Sequence, residues 1–449
     1  MSETDARPRR TYGRVALLLG LGVLLLLAFA LPEPQPRQYP ERVPVRFWHM
    51  WSGEWKEVVD RIAARFNQSQ DRYELIALSV PGASADQKFL LSVAGGDPPD
   101  CMAQWNQVIP AWADEALLVP LDSLMSASQW QGVQEVAYPV ALKIGMYQGH
   151  LYGVTTGINV WACYYNPQQL EEEALDPQDF PRDLETLWDW GLRLSRTNSQ
   201  GNLTRLGFLP QGLAMYAPLF GGGFYGGGQV VLDTPANRRA LEYLAQCRRH
   251  YGFDQVVRFN ASLNTGGLAT EWPFISGQYS ITVDGQWRVE QLARYAPELR
   301  YGTAPIPPPR GGVGQAGWSN GNFMIIPRGA RQVQGAWEFI KFGSGIEQPE
   351  RAAEFYTWGG WLPFTRLVAE SPIYRAYVQK YPQFATFLEV LPSAQIKPTP
   401  PVPYQVFLWD MLQRADDYAM RGMKTPEQAL QDLEREVAQE VARRRRLGG

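Results

Sequence analysis

A chain of 449 residues, 45% of them apolar, is too long for one hydrophobic core and implies two or three domains. The formal net charge of -3 leaves no basic field for nucleic acid. The 3 cysteines, Cys101, Cys163 and Cys247, lie far apart with no CxxC spacing, which argues against a zinc site, an iron–sulfur cluster or a disulfide framework.

Arg7, Arg9, Arg10 and Arg14 precede an uncharged apolar run, Val15 to Leu31, and Ala28-Phe29-Ala30 supplies a small-x-small site before Pro32. This is the pattern of an export signal cut after Ala30. The run is slightly short for a spanning helix of ~20 residues, so an uncleaved signal anchor is the second reading of residues 1–30. No cysteine follows the run, so a lipid-modified terminus is not supported. Residues 31–42 are Pro-rich and read as a tether.

Val43 to Met50 reads as an apolar, aromatic strand. Glu54 to Gln68 reads as a helix, because Trp55, Val58, Val59, Ile62, Ala63 and Phe66 recur at three- and four-residue spacing. Tyr73 to Val80 is a second strand, and Asp86 to Ala94 a helix stopped by Gly95-Gly96. Cys101 to Trp105 is a third strand, after the turn Asp97-Pro98-Pro99-Asp100, whose carboxylates are expected to bond backbone. Strands alternating with helices predict a parallel, doubly wound sheet with its ligand beyond the carboxyl ends of the strands. Trp51, Ser52, Gln104, Trp105 and Asn106 stand at those ends.

Leu151 to Asn166 is one long extended run, broken by Gly153 and Gly157 and long enough to cross between lobes. Leu184 to Arg196 reads as a helix, and Gly221 to Gly228 as a flexible turn that lacks the GK[ST] of a P-loop. Asp233 to Tyr251 is a helix opened by Asp233 or Thr234 as N-cap and Pro235 in the first turn. Tyr279 to Val283 is a strand running into Asp284-Gly285-Gln286-Trp287, and Pro305 to Gly314 reads as a second crossing. Phe323 to Ile326 is a strand and Gln334 to Phe342 a helix; Tyr404 to Met420 and Pro426 to Arg446 are the longest of the remaining helices. The run Arg443 to Arg446 reads as a solvated helix end favoured by the helix dipole.

The chain holds 16 tryptophans and 21 tyrosines but only 3 histidines. Trp51, Trp105, Trp287 and Trp318 fall where a predicted strand gives way to a loop. An indole there covers the apolar face of a small ring while Asn, Gln or Asp side chains bond its rim. That is chemistry for holding a polar ring such as a sugar, not for breaking one. Catalysis finds little support: His49, His150 and His250 are isolated, and neither GxSxG nor HExxH occurs. Asp284, at a strand end, reads as a ligand contact or a turn former. No metal or cofactor is indicated.

The order of motifs from about Val43 to Ala442 resembles the extracellular solute-binding proteins of ABC importers, in the sugar-binding group that includes maltose-binding protein. VRFWHMWSGEWKEVVDRIAARFN is similar to that family's first strand and helix, and AGGDPPDCMAQWNQVIPAWADEALLVPLD to its Gly-Asp-x-Pro-Asp strand and following helix. GHLYGVTTGINVWACYYNP resembles the crossover ending in Tyr-Tyr-Asn, and FISGQYSITVDGQW the segment ending in Gly-x-Trp. PRDLETLWDW and NFMIIPRGARQVQGAWEFIKF resemble the family's Thr-Trp helix start and its Ile-Pro-x-Gly turn with the helix after it.

The resemblance implies an α/β, two-lobe periplasmic-binding-protein fold of type II, with the ligand cleft between lobes joined by hinge segments. Residues 43–154 and 306–344 would form one lobe, 155–305 and 345–442 the other, and 443–449 a basic tail. It carries ligand contacts onto Trp51 and Ser52, onto Gln104, Trp105, Asn106 and Gln107, onto Asn159 and Trp161, onto Asp284 and Trp287, and onto Trp409. Trp318 and Asn320 follow the second crossing, and Trp358 and Trp361 flank Gly359-Gly360. The charged pair that some maltose binders place after the third strand is replaced by Gln107 and Val108, so maltose-like specificity does not transfer. The expected function is extracytoplasmic capture of a carbohydrate or polyol by a monomeric, non-enzymatic protein that delivers it to the transmembrane subunits of an ABC permease. A sensor of the same fold feeding a signalling partner is the alternative.

Overall fold

The first strand, β1 (Val43–His49), alternates strictly: Val45, Phe47 and His49 are buried and the residues between them are not. It belongs to a computed structural model that describes residues 37–80, 82–263 and 269–447. Contacts divide the chain into Met1–Val43 and Pro44–Gly449. In the first unit the Arg42 guanidinium lies 3.8 Å over the Tyr39 ring. The signal or anchor expected over 1–30, and most of the tether, lie outside the described residues. Among the described residues no helix is long and apolar enough to cross a membrane.

From β1 the chain enters α1 (Gly53–Ser69), which buries Val59, Ile62, Ala63 and Phe66. It returns as β2 (Tyr73–Ser79), crosses through α2 (Gly82–Ala94) and re-enters as β3 (Cys101–Trp105). Asn67 ties α1 to β2: its amide donates to the Leu75 carbonyl at 3.1 Å and accepts the Leu75 N–H at 2.7 Å. Asp100 accepts the backbone N–H groups of Arg46 (2.8 Å) and Gln332 (2.9 Å), the structural role expected of that turn.

The run read as one extended segment is two strands in two sheets. β4 (Val154–Asn159) and β5 (Trp161–Tyr165) are separated only by Val160. Beyond them come α3 (Leu184–Leu194), capped by Asp183, and the hairpin β6 (Tyr225–Gly226) and β7 (Gln229–Val230), which replaces the expected flexible turn. α4 (Pro235–Tyr251) takes Thr234 rather than Asp233 as its cap; the hydroxyl accepts the Asn237 N–H at 3.1 Å. β8 (Ile281–Gly285), α5 (Trp287–Tyr295), β9 (Gly302–Ala304) and β10 (Gly317–Ile325) follow. The chain ends through α6 (Val333–Ser344), α7 (Pro349–Gly359), β11 (Ile396–Pro398), α8 (Gln405–Met420) and α9 (Pro426–Leu447).

One sheet runs β11-β10-β3-β1-β2, with β4 also on β10. β1 and β3 are parallel, Phe47 opposite Cys101, but β10 is antiparallel to β3, with Asn322 opposite Trp105. The sheet is therefore mixed, not parallel throughout. The reversal comes from a strand more than 200 residues away, which the local strand–helix rhythm cannot announce. β10 also begins six residues before the expected Phe323, so Trp318 lies inside a strand rather than at its end.

The second sheet is β8-β5-β9, antiparallel throughout, with Gly285 opposite Trp161 and Ala304 opposite Cys163. β5 separates two hydrophobic clusters. Ala162 and Tyr164 enter the cluster that also covers the first sheet, while Cys163 enters the one built by α3, α4, α8 and α9. Residues such as Phe323, Ile325 and Leu244, almost fully buried, each contribute about 1.5–3 kcal/mol through burial. α7 packs on α1 and α6, elements beside the first sheet, whereas α8 packs on α4 and α9. All three cysteines are buried and free.

Candidate functional site

The chain passes between the sheets where β4 becomes β5, and four of the candidate indoles gather around that step. Trp161 opens β5, Trp318 is the second residue of β10, Trp287 opens α5, and Trp409 lies in α8. Trp161 and Trp318 stack with centroids 4.8 Å apart, and Trp318 and Trp409 stack at 4.6 Å. Trp287 stands edge-on to Trp161 at 6.0 Å. The Trp318 Nε1–H donates to the Thr399 hydroxyl at 3.0 Å, which fixes the central ring. All four indoles remain partly exposed. A Cβ at Gly285 would run into the Trp287 ring, so glycine there lets the indole fold back over the backbone.

Trp51 and Trp361 form a second pair, stacked at 5.6 Å. Trp361 covers Gly157 of β4, where a Cβ would come within 3.3 Å of the ring. This pair borders an apolar cavity of about 40 Å³ walled by Phe47, Met324, Phe339 and Tyr356. Trp105 is partly exposed and makes ring contact with neither group among the described residues. Trp358 lies under the Arg61 guanidinium, 3.6 Å from its ring centre, on the α1 side.

The polar candidates divide by how their hydrogen bonds are spent. Ser52 is exposed and makes no cap bond to α1, and Gln107 is exposed in the turn on which α8 packs. Gln104 is buried, donating to Asp86 at 2.7 Å and accepting the Trp105 N–H at 2.8 Å. Asn106 is buried and accepts the Gly321 N–H at 3.1 Å. Asn159 donates to Asn320 at 2.8 Å, and its carbonyl oxygen accepts from Gln286 at 3.2 Å. Asp284 receives Arg288 Nε at 2.8 Å and the Gly285 N–H at 2.8 Å; burial raises its pKa and Arg288 opposes the rise. Arg288 also lies 4.4 Å over Trp272, so this ion pair is braced inward.

Sequence reasoning passed over Gln286. It is 1% exposed, donates to the Ile158 carbonyl at 3.0 Å and accepts the Val160 N–H at 3.1 Å. It clamps the backbone where the chain changes sheets, and Ser319 adds a bond to the Asn159 carbonyl at 2.8 Å. Nothing in a lone Gln between Gly and Trp marks it as a clamp; only the fold brings Val160 to it. His49, isolated from any catalytic motif, is 1% exposed; among the described residues neither ring nitrogen has a hydrogen-bond partner, and burial lowers its pKa to about 4. Asp416, two turns along α8 from Trp409, accepts the Leu213 N–H at 2.9 Å, and burial pushes its carboxyl up to about 7.

Known proteins agree with this architecture. The bacterial extracellular solute-binding protein family matches residues 61–386. The sn-glycerol-3-phosphate-binding periplasmic protein of Salmonella typhimurium is 23% identical over 91% of this chain and 94% of its own length. Its counterpart in Escherichia coli K12 is 21% identical over 86% and 90%. Among solved structures, CpMnBP1 with mannotriose bound aligns with a TM-score of 0.76 at 25% identity, covering 88% of this chain and all of its own. The cyclic α-maltosyl-1,6-maltose binding protein of Arthrobacter globiformis aligns with a TM-score of 0.72 at 20% identity, covering 88% and 97%. The fold is thus that of two-lobe binding proteins. The chain belongs to the bacterial extracellular solute-binding protein family, and works outside the cytoplasm as the solute-binding component of an ABC importer.

Proposed function

We propose that the captured solute is a neutral saccharide, held between the lobes against the indole cluster of Trp161, Trp409 and Trp287, in which Trp318 is the stacked central ring. The observation that carries this reading is the indole stack itself, four partly exposed rings from four elements converging where the chain changes sheets. Such faces cover the apolar side of a pyranose, and exposed Gln107, in the turn on which α8 packs, would bond its hydroxyls, with Ser52 beside Trp51 as a further candidate. The solved neighbours bound to mannotriose and named for a cyclic maltosyl-maltose support it. Closure about the β4–β5 step would bury the sugar, and the closed form would dock on the permease, which alone couples to ATP hydrolysis. The lobes are taken as 43–154 with 306–344, and 155–305 with 345–442, save that β4, α7 and β11 go with the first sheet, on which they pair or pack; the protein acts as a monomer without catalytic activity. The segment before Val43 serves export, by cleavage after Ala30 or as a retained anchor.

A second reading rests on Lys397, which stands opposite Trp318 in the β10–β11 register. A cation there suits a phosphorylated polyol, as the glycerol-phosphate-binding relatives suggest. Arg288 does not serve that role, being held by Asp284. Titration of the purified protein with neutral oligosaccharides and with glycerol phosphates separates the two readings: the first expects saccharides to saturate it and Lys397→Gln to leave that binding intact.

A further inference from the structure

Two sequence features stand apart from the ligand site, the glycine-rich stretch 221–228 and the arginine run 443–446. The fold brings them together. Gly227 and Gly228, with φ of +59° and +82°, make the tight turn between β6 and β7 and leave Tyr225 45% exposed on the hairpin. The end of α9 lies alongside. Val230, Tyr404, Val437, Val441, Arg445 and Arg446 line one open groove of about 840 Å³.

The charge of this face is one-sided. Arg443 and Arg444 share the Glu440 carboxylate, each at 2.7 Å, and Arg444 also donates to the Pro403 carbonyl at 3.3 Å. Arg445 and Arg446 are exposed, with no ion pair among the described residues. Glu434 is the one acid among the described residues lining the groove. Aromatic edges flank the arginines: Tyr404 in the groove lining, and the exposed Tyr225, paired across the hairpin with the lining residue Val230.

We propose that this face docks on the surface of an anionic phospholipid bilayer. The family works outside the cytoplasm, within reach of the membrane that holds its permease. Guanidinium groups pair with phosphate oxygens in a planar fork. Tyrosine rings sit at headgroup depth, with the ring in the apolar boundary and the hydroxyl in water. An acidic peptide would answer the arginines but leave the exposed Tyr225 edge without a partner; a bilayer answers both. The inference does not depend on which solute the cleft holds.

Flotation with vesicles tests it, using phosphatidylcholine alone and phosphatidylcholine mixed with phosphatidylglycerol. The chain is used from residue 31 onward so that the apolar leader cannot insert, since Pro44–Gly449 forms a unit without it. The protein should float with anionic vesicles and not with neutral ones, less so as salt rises. Arg445→Gln combined with Arg446→Gln should weaken partition by about fivefold per arginine, and the paired Lys variant should restore it. Tyr225→Ser should lower the retention that persists at high salt. Equal retention on both vesicle types, or retention unchanged in the double Gln variant, would overturn the proposal. So would binding of an acidic protein segment by these arginines without retention on anionic vesicles.

Discussion

The Trp318 indole lies against that of Trp161, ring centroids 4.8 Å apart and planes 24° from parallel. Trp409 covers its other face at 4.6 Å. A sugar ring therefore reaches Trp318 only by displacing a neighbouring indole, whereas the partly exposed Trp161 and Trp409 end the stack. Ligand binding should shift the intrinsic tryptophan emission. Trp409→Ala should weaken saccharide binding by about tenfold, the ~1.4 kcal/mol expected for one lost stacking face. Calorimetric titration reads this directly; unchanged affinity would remove Trp409 from the site.

Asp284 offers a contrast, because its oxygens are already engaged by Arg288 and the Gly285 N–H. Asp284→Asn should lower unfolding stability by about 1–3 kcal/mol while leaving ligand affinity within a factor of two or so. A variant that folds with full stability yet loses ligand would make Asp284 a direct contact.

Gln286→Leu removes the partners of the Val160 N–H and the Ile158 carbonyl at the step between sheets. Leaving buried backbone groups unsatisfied costs about 1–3 kcal/mol each. Denaturant unfolding should show a loss of about 2–6 kcal/mol for the two groups together. Small-angle scattering should also show the ligand-induced compaction altered, because the clamp sits on the β4–β5 step about which closure is proposed. A variant with wild-type stability would mean the hinge backbone finds other partners.

His49 predicts an acid-sensitive slope. Its folded pKa of about 4 lies below the ordinary histidine value of 6.5, so the unfolded chain binds the proton first as pH falls. The stability present above pH 6.5 is lost as pH falls from 6.5 towards 4, by ~3 kcal/mol. Asp416 acts in the opposite sense. Its carboxyl is raised to about 7, so charging it costs stability as pH rises from 3.8 to 7. Urea unfolding from pH 4 to 8 should show His49→Phe losing the first slope and Asp416→Asn the second. Variant curves parallel to wild type would mean neither group is desolvated in solution.

The opening of the fold was legible because its periodicities are strong: β1, α1, β2 and β3 fall within a few residues of their expected ranges. The start of β10 was not, because Gly317-Trp-Ser-Asn-Gly-Asn lacks the β-branched run that marks a strand, and its strand character comes from pairing with β4, β3 and β11. The indoles were visible as residue types at suggestive positions, but Trp161 and Trp409 are 248 positions apart (409 − 161), and their convergence on Trp318 is a tertiary fact. Gln104, Asn106 and Asp284 were chosen for polarity at strand ends; whether such a group faces ligand or backbone depends on neighbours supplied by α2, β10 and α5.

The central claim, capture of a neutral saccharide, is tested most directly by thermal unfolding of residues 31–449 against a panel of mono- and oligosaccharides, polyols and glycerol phosphates. At 100 times its dissociation constant a ligand adds ~2.7 kcal/mol of stability, a readily measured rise in midpoint. The account predicts a rise with one class of neutral saccharide, diminished in Trp409→Ala. A rise with glycerol phosphates alone, or with saccharides equally in wild type and Trp409→Ala, would contradict it.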